Sequence, residues 1–235
     1  MNYQISTDTA FPVVTLTLDQ DEQVQIESGS MIYHDGQIKL EGKMNNNGKK
    51  GLGGLMSAIG RSMTSGESFF ITTATGTAPQ SELVIAPGNP GAIRALPLDS
   101  THQWRLNTGA FLAADATAGY TMVRQKTSNA LLGGTGGFFV MESQGSGAML
   151  VSAYGDILEV TLDGSRDYII DNDHVVAWSQ SLDYNIAPAS GFVGFKTGEG
   201  LVNQFHGQGT VYIQTRNLNA LADLVAPFLP EKSGD

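Results

Sequence analysis

The chain is written in short runs of alternating apolar and polar residues, separated by glycine-containing turns. Period-2 alternation of this kind predicts half-buried β-strands. Three segments share one pattern: VQIESGSMIY from Val24, WRLNTGAFLA from Trp104 and YIIDNDHVVA from Tyr168. Each reads as an apolar strand, a tight polar turn and a second apolar strand, which together predict a hairpin. Gly29 and Gly109 hold equivalent turn positions, where a positive φ meets no Cβ penalty. Asp173 takes that place in the third copy, and Asn or Asp tolerates left-handed geometry next best.

A second element follows each predicted hairpin: FFITTATG from Phe69, FFVMESQG from Phe138 and VYIQTRN from Val211. A third precedes the later two: ELVIAPGNPGAIRALPL from Glu82 and AMLVSAYGDILEVTL from Ala148, with PVVTLTL from Pro12 as a weaker first copy. The chain therefore reads as an all-β protein of three repeated modules, 1–77, 78–147 and 148–216. The first carries a glycine-rich insertion at 42–66, and a C-terminal helix and tail occupy 217–235. One module alone is small for an independent core, so the three are expected to pack together. The helix is expected over Leu218–Leu229, with apolar residues at 3- and 4-residue spacing, Asn217 as N-cap and Pro230 as stop. Its apolar stripe is expected to dock on the β body.

Composition narrows the function classes. Of 235 residues, 29 are glycine and only 15% are charged, which suits a turn-dense β protein with surface covered by other subunits. Thirteen basic and 23 acidic residues leave a net charge of −10, which argues against a nucleic-acid binder. There is no cysteine, so disulfides, thiolate metal sites and a cysteine nucleophile are excluded. The opening MNYQISTDTAFPVV has no basic stretch before an apolar run, and no apolar run is long enough for a transmembrane helix. A cytoplasmic location is the expectation.

Seven tags, in order along the chain, carry a family resemblance: ESGSMI (27–32), GESFF (66–70), APGNPGAI (86–93), GAFLA (109–113), GGTGGFFV (133–140), GDILEV (155–160) and GEGLVNQFHGQGTVYIQTR (198–216). Through them the chain resembles the prokaryotic branch of the altered-inheritance-of-mitochondria family, number twenty-four, over about residues 1–229. The resemblance implies a fold like the tryptophan RNA-binding attenuation protein, a short double-stranded β-helix module occurring three times per chain. It also implies rings of about nine to eleven modules, and hence a homotrimer. The family is largely uncharacterised. Its fungal member is linked to mitochondrial inner-membrane organisation, which is not carried to this chain because no transit peptide is visible.

Candidate chemistry is sparse. In GLGGLMSAIGRSMTS, Leu52, Leu55, Met56, Ile59 and Met63 share one helical face, and Lys43, Lys49, Lys50 and Arg61 surround it with no acid between Glu41 and Glu67. This basic, apolar island fits peripheral contact with anionic lipid or an acidic partner. A solvated insertion packed on the rim is the stronger reading. Asp171-Asn172-Asp173-His174 offers cation ligands, but it aligns with the other turns and lacks calcium-loop spacing. His34, His102, His174 and His206 have no metal-ligand spacing among them. The glycine runs fit neither a P-loop nor a dinucleotide fingerprint, and no nucleophile elbow occurs. Arg216 fits a carboxylate or phosphate, or equally an acid between modules.

The sequence thus predicts no enzyme and no cofactor. It predicts a non-catalytic oligomeric scaffold or interaction protein with an unknown protein partner. The alternative is a small-ligand sensor with pockets at module interfaces, an analogy of fold alone.

Overall fold

The structure is a computed structural model that describes residues 1–44, 70–107, 109–124, 139–192 and 200–229. Among these residues it is mostly β-strand, with one short α-helix near the C-terminal end. The strands are β1 (Asn2–Ile5), β2 (Val14–Leu18), β3 (Gln23–Glu27), β4 (Met31–His34), β5 (Ile38–Met44), β6 (Phe70–Gly76), β7 (Ser81–Ile85), β8 (Ile93–Leu98), β9 (Trp104–Asn107) and β10 (Phe111–Asp115). There follow β11 (Ala118–Arg124), β12 (Phe139–Gly145), β13 (Gly147–Ser152), β14 (Ile157–Asp163), β15 (Tyr168–Asp171), β16 (Val175–Ser179), β17 (Asp183–Phe192), β18 (Leu201–His206) and β19 (Gln208–Gln214).

The strands form four sheets: β1-β2-β7-β4, β5-β6-β3-β10-β13-β8, β11-β12-β9-β16-β19-β14 and β15-β18-β17. Every pairing between these strands is antiparallel. The pairing scheme recurs with an offset of six strands. The trio β2-β7-β4 has the same order as β8-β13-β10 and β14-β19-β16. Likewise β5-β6-β3 matches β11-β12-β9 and β17-β18-β15. Each six-stranded sheet joins one trio of each kind through a central pair, β3·β10 in one and β9·β16 in the other.

Three apolar cores separate successive sheets. Leu16, Ile26, Leu83 and Leu112 fill the first. Leu96, Leu106, Phe111, Met149 and Val176 fill the second. Trp178, Leu162, Phe205 and Val211 fill the third. The alternation read from the sequence supplies these cores: in β2, Val14, Leu16 and Leu18 are buried and the threonines between them are not.

The structure corrects four expectations. The predicted hairpins are corners. β3 and β4 lie in different sheets, as do β9 and β10, and β15 and β16. The first corner explains why. Ser30 donates its N–H to the Glu27 carbonyl across Ser28 and Gly29, and Gly29 alone of these has positive φ, at 87°. Positive φ at the third residue is the pattern of a type II turn, which splays the flanking strands where a hairpin needs a primed turn. Gly109 repeats the conformation with φ 92°. Neither glycine has a neighbour within 4 Å of where a Cβ would stand, so the strain of a side chain there is conformational only. Gly29→Val and Gly109→Val are each expected to cost about 1–3 kcal/mol, read as a lower denaturation midpoint. An unchanged midpoint in both would show that the turns accept another conformation.

The third corner is built differently. Asn172–His174 form a 3-10 turn capped by the Asp171 side chain, which accepts the Asp173 N–H at 2.9 Å. Asp173 does not have positive φ. A side-chain cap here does what glycine does in the other two corners.

The third copy of the FFITTATG element is not VYIQTRN. β18 (Leu201–His206) stands where β6 and β12 stand, while VYIQTRN belongs to β19, which stands with β7 and β13. Both runs alternate alike, and only their partners tell them apart.

The helix α1 spans Leu218–Val225, and a 3-10 turn at Ala226–Phe228 follows. Asn217 is its N-cap, its side-chain oxygen accepting the Ala220 N–H at 2.7 Å. The helix tightens where Pro227 has no N–H for the Asp223 carbonyl; Pro230 lies outside the described residues. The apolar stripe does not dock on the β body: Leu224 is 68% and Phe228 84% exposed. The helix is held at its start instead, through Asn217 and Asn219.

Candidate functional site

Of the residues singled out from the sequence, Lys49, Lys50, Leu52, Leu55, Met56, Ile59, Arg61 and Met63 lie outside the described residues. Arg216 is described and exposed. Its N–H donates to the Tyr154 carbonyl and its guanidinium to the Thr215 carbonyl at 3.1 Å. It makes no ion pair with an acid among the described residues.

The third corner uses its polar groups internally. The Asp173 carboxylate accepts from Asn219 Nδ2 at 2.6 Å. His174 Nδ1 lies 2.6 Å from the Gln214 carbonyl, which can only accept, so Nδ1 carries the proton. Nε2 is then an acceptor for Asn217 Nδ2 at 3.0 Å. These bonds tie α1 to the corner. They also wall a cleft of about 290 Å³ between the second and third corners, lined by Asn107, Gly109, Asn172, Asp173, Gln214 and Asn217. Asn107 Nδ2 donates to the Val175 carbonyl at 2.8 Å and Gln214 Nε2 to the Asp173 carbonyl at 2.8 Å. Among the described residues, no group of three or more His, Asp or Glu side chains is placed to hold a metal.

The other feature is a pair of open strand edges. β10 pairs with β13 on one side and β3 on the other, and β16 with β19 and β9. β4 holds the same place in the scheme, yet among the described residues it pairs only with β7. At the far end β15 holds the place of β3 and β9, yet it pairs only with β18. Burial follows pairing. Phe111 to Ala114 and Val175 to Trp178 are buried, whereas in β4 Met31, Ile32 and Tyr33 are exposed, Ile32 to 52%. In β15 Ile169 is 64% exposed.

Four other edges carry the usual protection. β5 has Lys39 and Glu41, β8 has Arg94 and Pro97, β14 has Glu159 and Asp163, and β17 has Asp183 and Pro188. The run Met31-Ile32-Tyr33 has neither charge nor proline. β4 is held firmly on its β7 side. The Tyr33 hydroxyl bonds the Glu82 carboxylate, which raises its pKa. The Asp35 carboxylate accepts the N–H groups of Glu82 and Gln37, at 3.0 and 2.8 Å, which lowers its pKa. The sequence contained these residues in its repeat but gave no sign that two of the strands would lack a partner.

The fold is that of an all-β chain whose strands are shared among face-packed sheets; among the described residues it has one short terminal α-helix and two strands, β4 and β15, that lack the second partner their counterparts have. The chain belongs to the family Mitochondrial biogenesis AIM24, whose model it matches over residues 3–216. It is 46% identical over 234 residues to the uncharacterized protein M6_Spy0233 of Streptococcus pyogenes serotype M6, covering 99% of this chain and 93% of the relative. It is similar to the crystal structure of protein SPYM3_0169 from Streptococcus pyogenes, with 44% identity and a TM-score of 0.80, covering 97% of this chain and 99% of that one. No described helix is long and apolar enough to cross a membrane.

Proposed function

We propose that the protein is a non-catalytic, self-assembling β-repeat scaffold: three modules of the short double-stranded β-helix kind per chain, closed into a homotrimeric ring. One observation carries the reading. Among the described residues β4 is paired on one side only and exposes Met31, Ile32 and Tyr33, where its counterparts β10 and β16 are paired on both sides and buried. Apolar strand edges of this kind are covered in stable proteins, and closed symmetry is the usual way to cover them. The threefold number comes from the ring size that the family resemblance implies. The absence of cysteine suits a reducing cytoplasm. The test is light scattering behind size exclusion in moderate salt. A mass of three chains, constant on dilution, is expected. A single-chain mass, or open-ended growth with concentration, would sink it.

A second reading is favoured by the cleft between the second and third corners: a small polar ligand seated at a module junction. Against it, the lining amides named above already bond protein groups. A thermal-shift screen of metabolites and ions separates the two readings, because a ligand of the folded state raises the midpoint by mass action. A saturable rise abolished by Gln214→Ala would support the sensor.

A further inference from the structure

The two open edges are complementary parts of one missing joint. The residue numbers show it. Val24 of β3 and Trp104 of β9 differ by 104 − 24 = 80, and Trp104 and Tyr168 of β15 by 168 − 104 = 64. The same steps carry Tyr33 of β4 to Ala113 of β10 and then to Ala177 of β16. The two joints inside the chain use one register on this scale. In β3·β10, Ile26 faces Ala113 and Gln25 faces Ala114. In β9·β16, Leu106 faces Ala177 and Arg105 faces Trp178. The register irregularity against the outer neighbour also recurs in place, between Met31 and Tyr33, Phe111 and Ala113, and Val175 and Ala177. By pairing, register and irregularity, β4 is built as the acceptor half of such a joint and β15 as the donor half.

We infer that β15 of one copy pairs antiparallel with β4 of the next. Ile170 then faces Tyr33, Ile169 faces His34 and Tyr168 faces Asp35. This rests on the assembly reading above and names its contact. The order becomes β17-β18-β15 joined to β4-β7-β2-β1 of the neighbour, a three-stranded and a four-stranded sheet fused into one. The contact is head-to-tail, so its two surfaces differ. Such a contact closes into a ring when its rotation allows, and otherwise runs on as a filament. No like charges oppose each other in the register. Tyr33, exposed in one chain, meets Ile170, and Met31 and Ile32 gain the cover that Phe111 and Leu112 have. The partner is therefore a second copy of this chain. A foreign strand at β4 would have to reproduce the β15 register.

The cysteine-free sequence allows a direct test. His34→Cys and Ile169→Cys are introduced together into the full chain, both at positions on the open edges. Opposed residues of an antiparallel pair bring Cβ atoms within reach of a disulfide. Mild oxidation should give covalent dimers and trimers on a non-reducing gel, with none larger, and thiol reduction should return single chains. The slipped pair, His34→Cys with Ile170→Cys, should give little product, because a one-residue slip turns the side chain to the other face. Circular dichroism checks the fold, and light scattering of the reduced variants checks the mass. A three-chain mass with free thiols and no covalent product overturns this joint and leaves the assembly standing. A single-chain mass overturns the assembly itself. A disulfide within one chain, running as a monomer without free thiol, overturns the joint in favour of self-closure.

Discussion

Gly91→Ala is expected to lower stability by about 3 kcal/mol, the upper end of what overpacking a well-fitted site typically costs. For a chain of this length that is a melting midpoint lower by roughly 6–12 °C. Gly91 and Gly155 form a parallel bridge that clips the loop before β8 to the loop before β14. Ala92 donates its N–H to the Gly155 carbonyl at 2.7 Å, and Gly155 donates to the Pro90 carbonyl at 3.0 Å. A Cβ on Gly91 would stand 2.2 Å from the Ala153 carbonyl oxygen, 2.4 Å from that of Gly155 and 2.5 Å from the Gly155 nitrogen. All three are backbone atoms, so no side-chain rotation relieves the clash. Gly88, three residues earlier, is the control. A Cβ there would have no neighbour within 4 Å, and Gly88→Ala is expected within about 0.5 kcal/mol of the parent. Equal effects of the two replacements in thermal denaturation would show that the bridge is not a tight contact.

Trp178→Ala is expected to cost about 3–5 kcal/mol, the transfer and cavity terms of a large aromatic. Trp178 is fully buried in β16, at the centre of the third core. Its ring meets Tyr184 at 4.9 Å and Phe205 at 5.7 Å, both edge-on. Edge-to-face pairs add to area burial, so the loss reaches β17 and β18 through these rings as well as β16. The indole Nε1 has no hydrogen-bond partner among the described residues. Trp178→Phe removes that desolvated N–H together with part of the ring, and the two effects oppose each other. The phenylalanine variant is therefore expected well above the alanine variant in urea denaturation. If the two unfold at the same midpoint, the indole N–H has a partner that matters more than the ring packing.

Much of the β architecture was legible in the chain. The buried Val14, Leu16 and Leu18 of β2, and Val24 and Ile26 of β3, are the apolar positions of period-2 runs. Gly29 and Gly109 were legible because left-handed backbone favours one residue type. Asn217 was legible as an N-cap because an amide oxygen at that place has a free N–H to accept. The family tags were legible too, but not what they do: Gly91 and Gly155 belong to APGNPGAI and GDILEV, 64 residues apart in the chain, and meet only in the fold.

The sequence by itself determined that the chain is built of β-strands, which faces β2 and β3 bury and where the first two corners turn, because these depend on neighbours one to four residues away. Tertiary structure alone decided which strands pair. A turn of the type at Glu27–Ser30 sends the next strand to another sheet, so β3 finds β10 and β4 finds β7 across gaps the local pattern does not encode. It alone separated β18 from β19, two runs of like alternation with different partners. It also left the stripe of α1 in solvent, since amphipathic spacing specifies a face and not the surface that receives it. The open edges at β4 and β15 arise in the same way. An edge is defined by the strand that is missing beside it, and no residue of the strand itself records that absence.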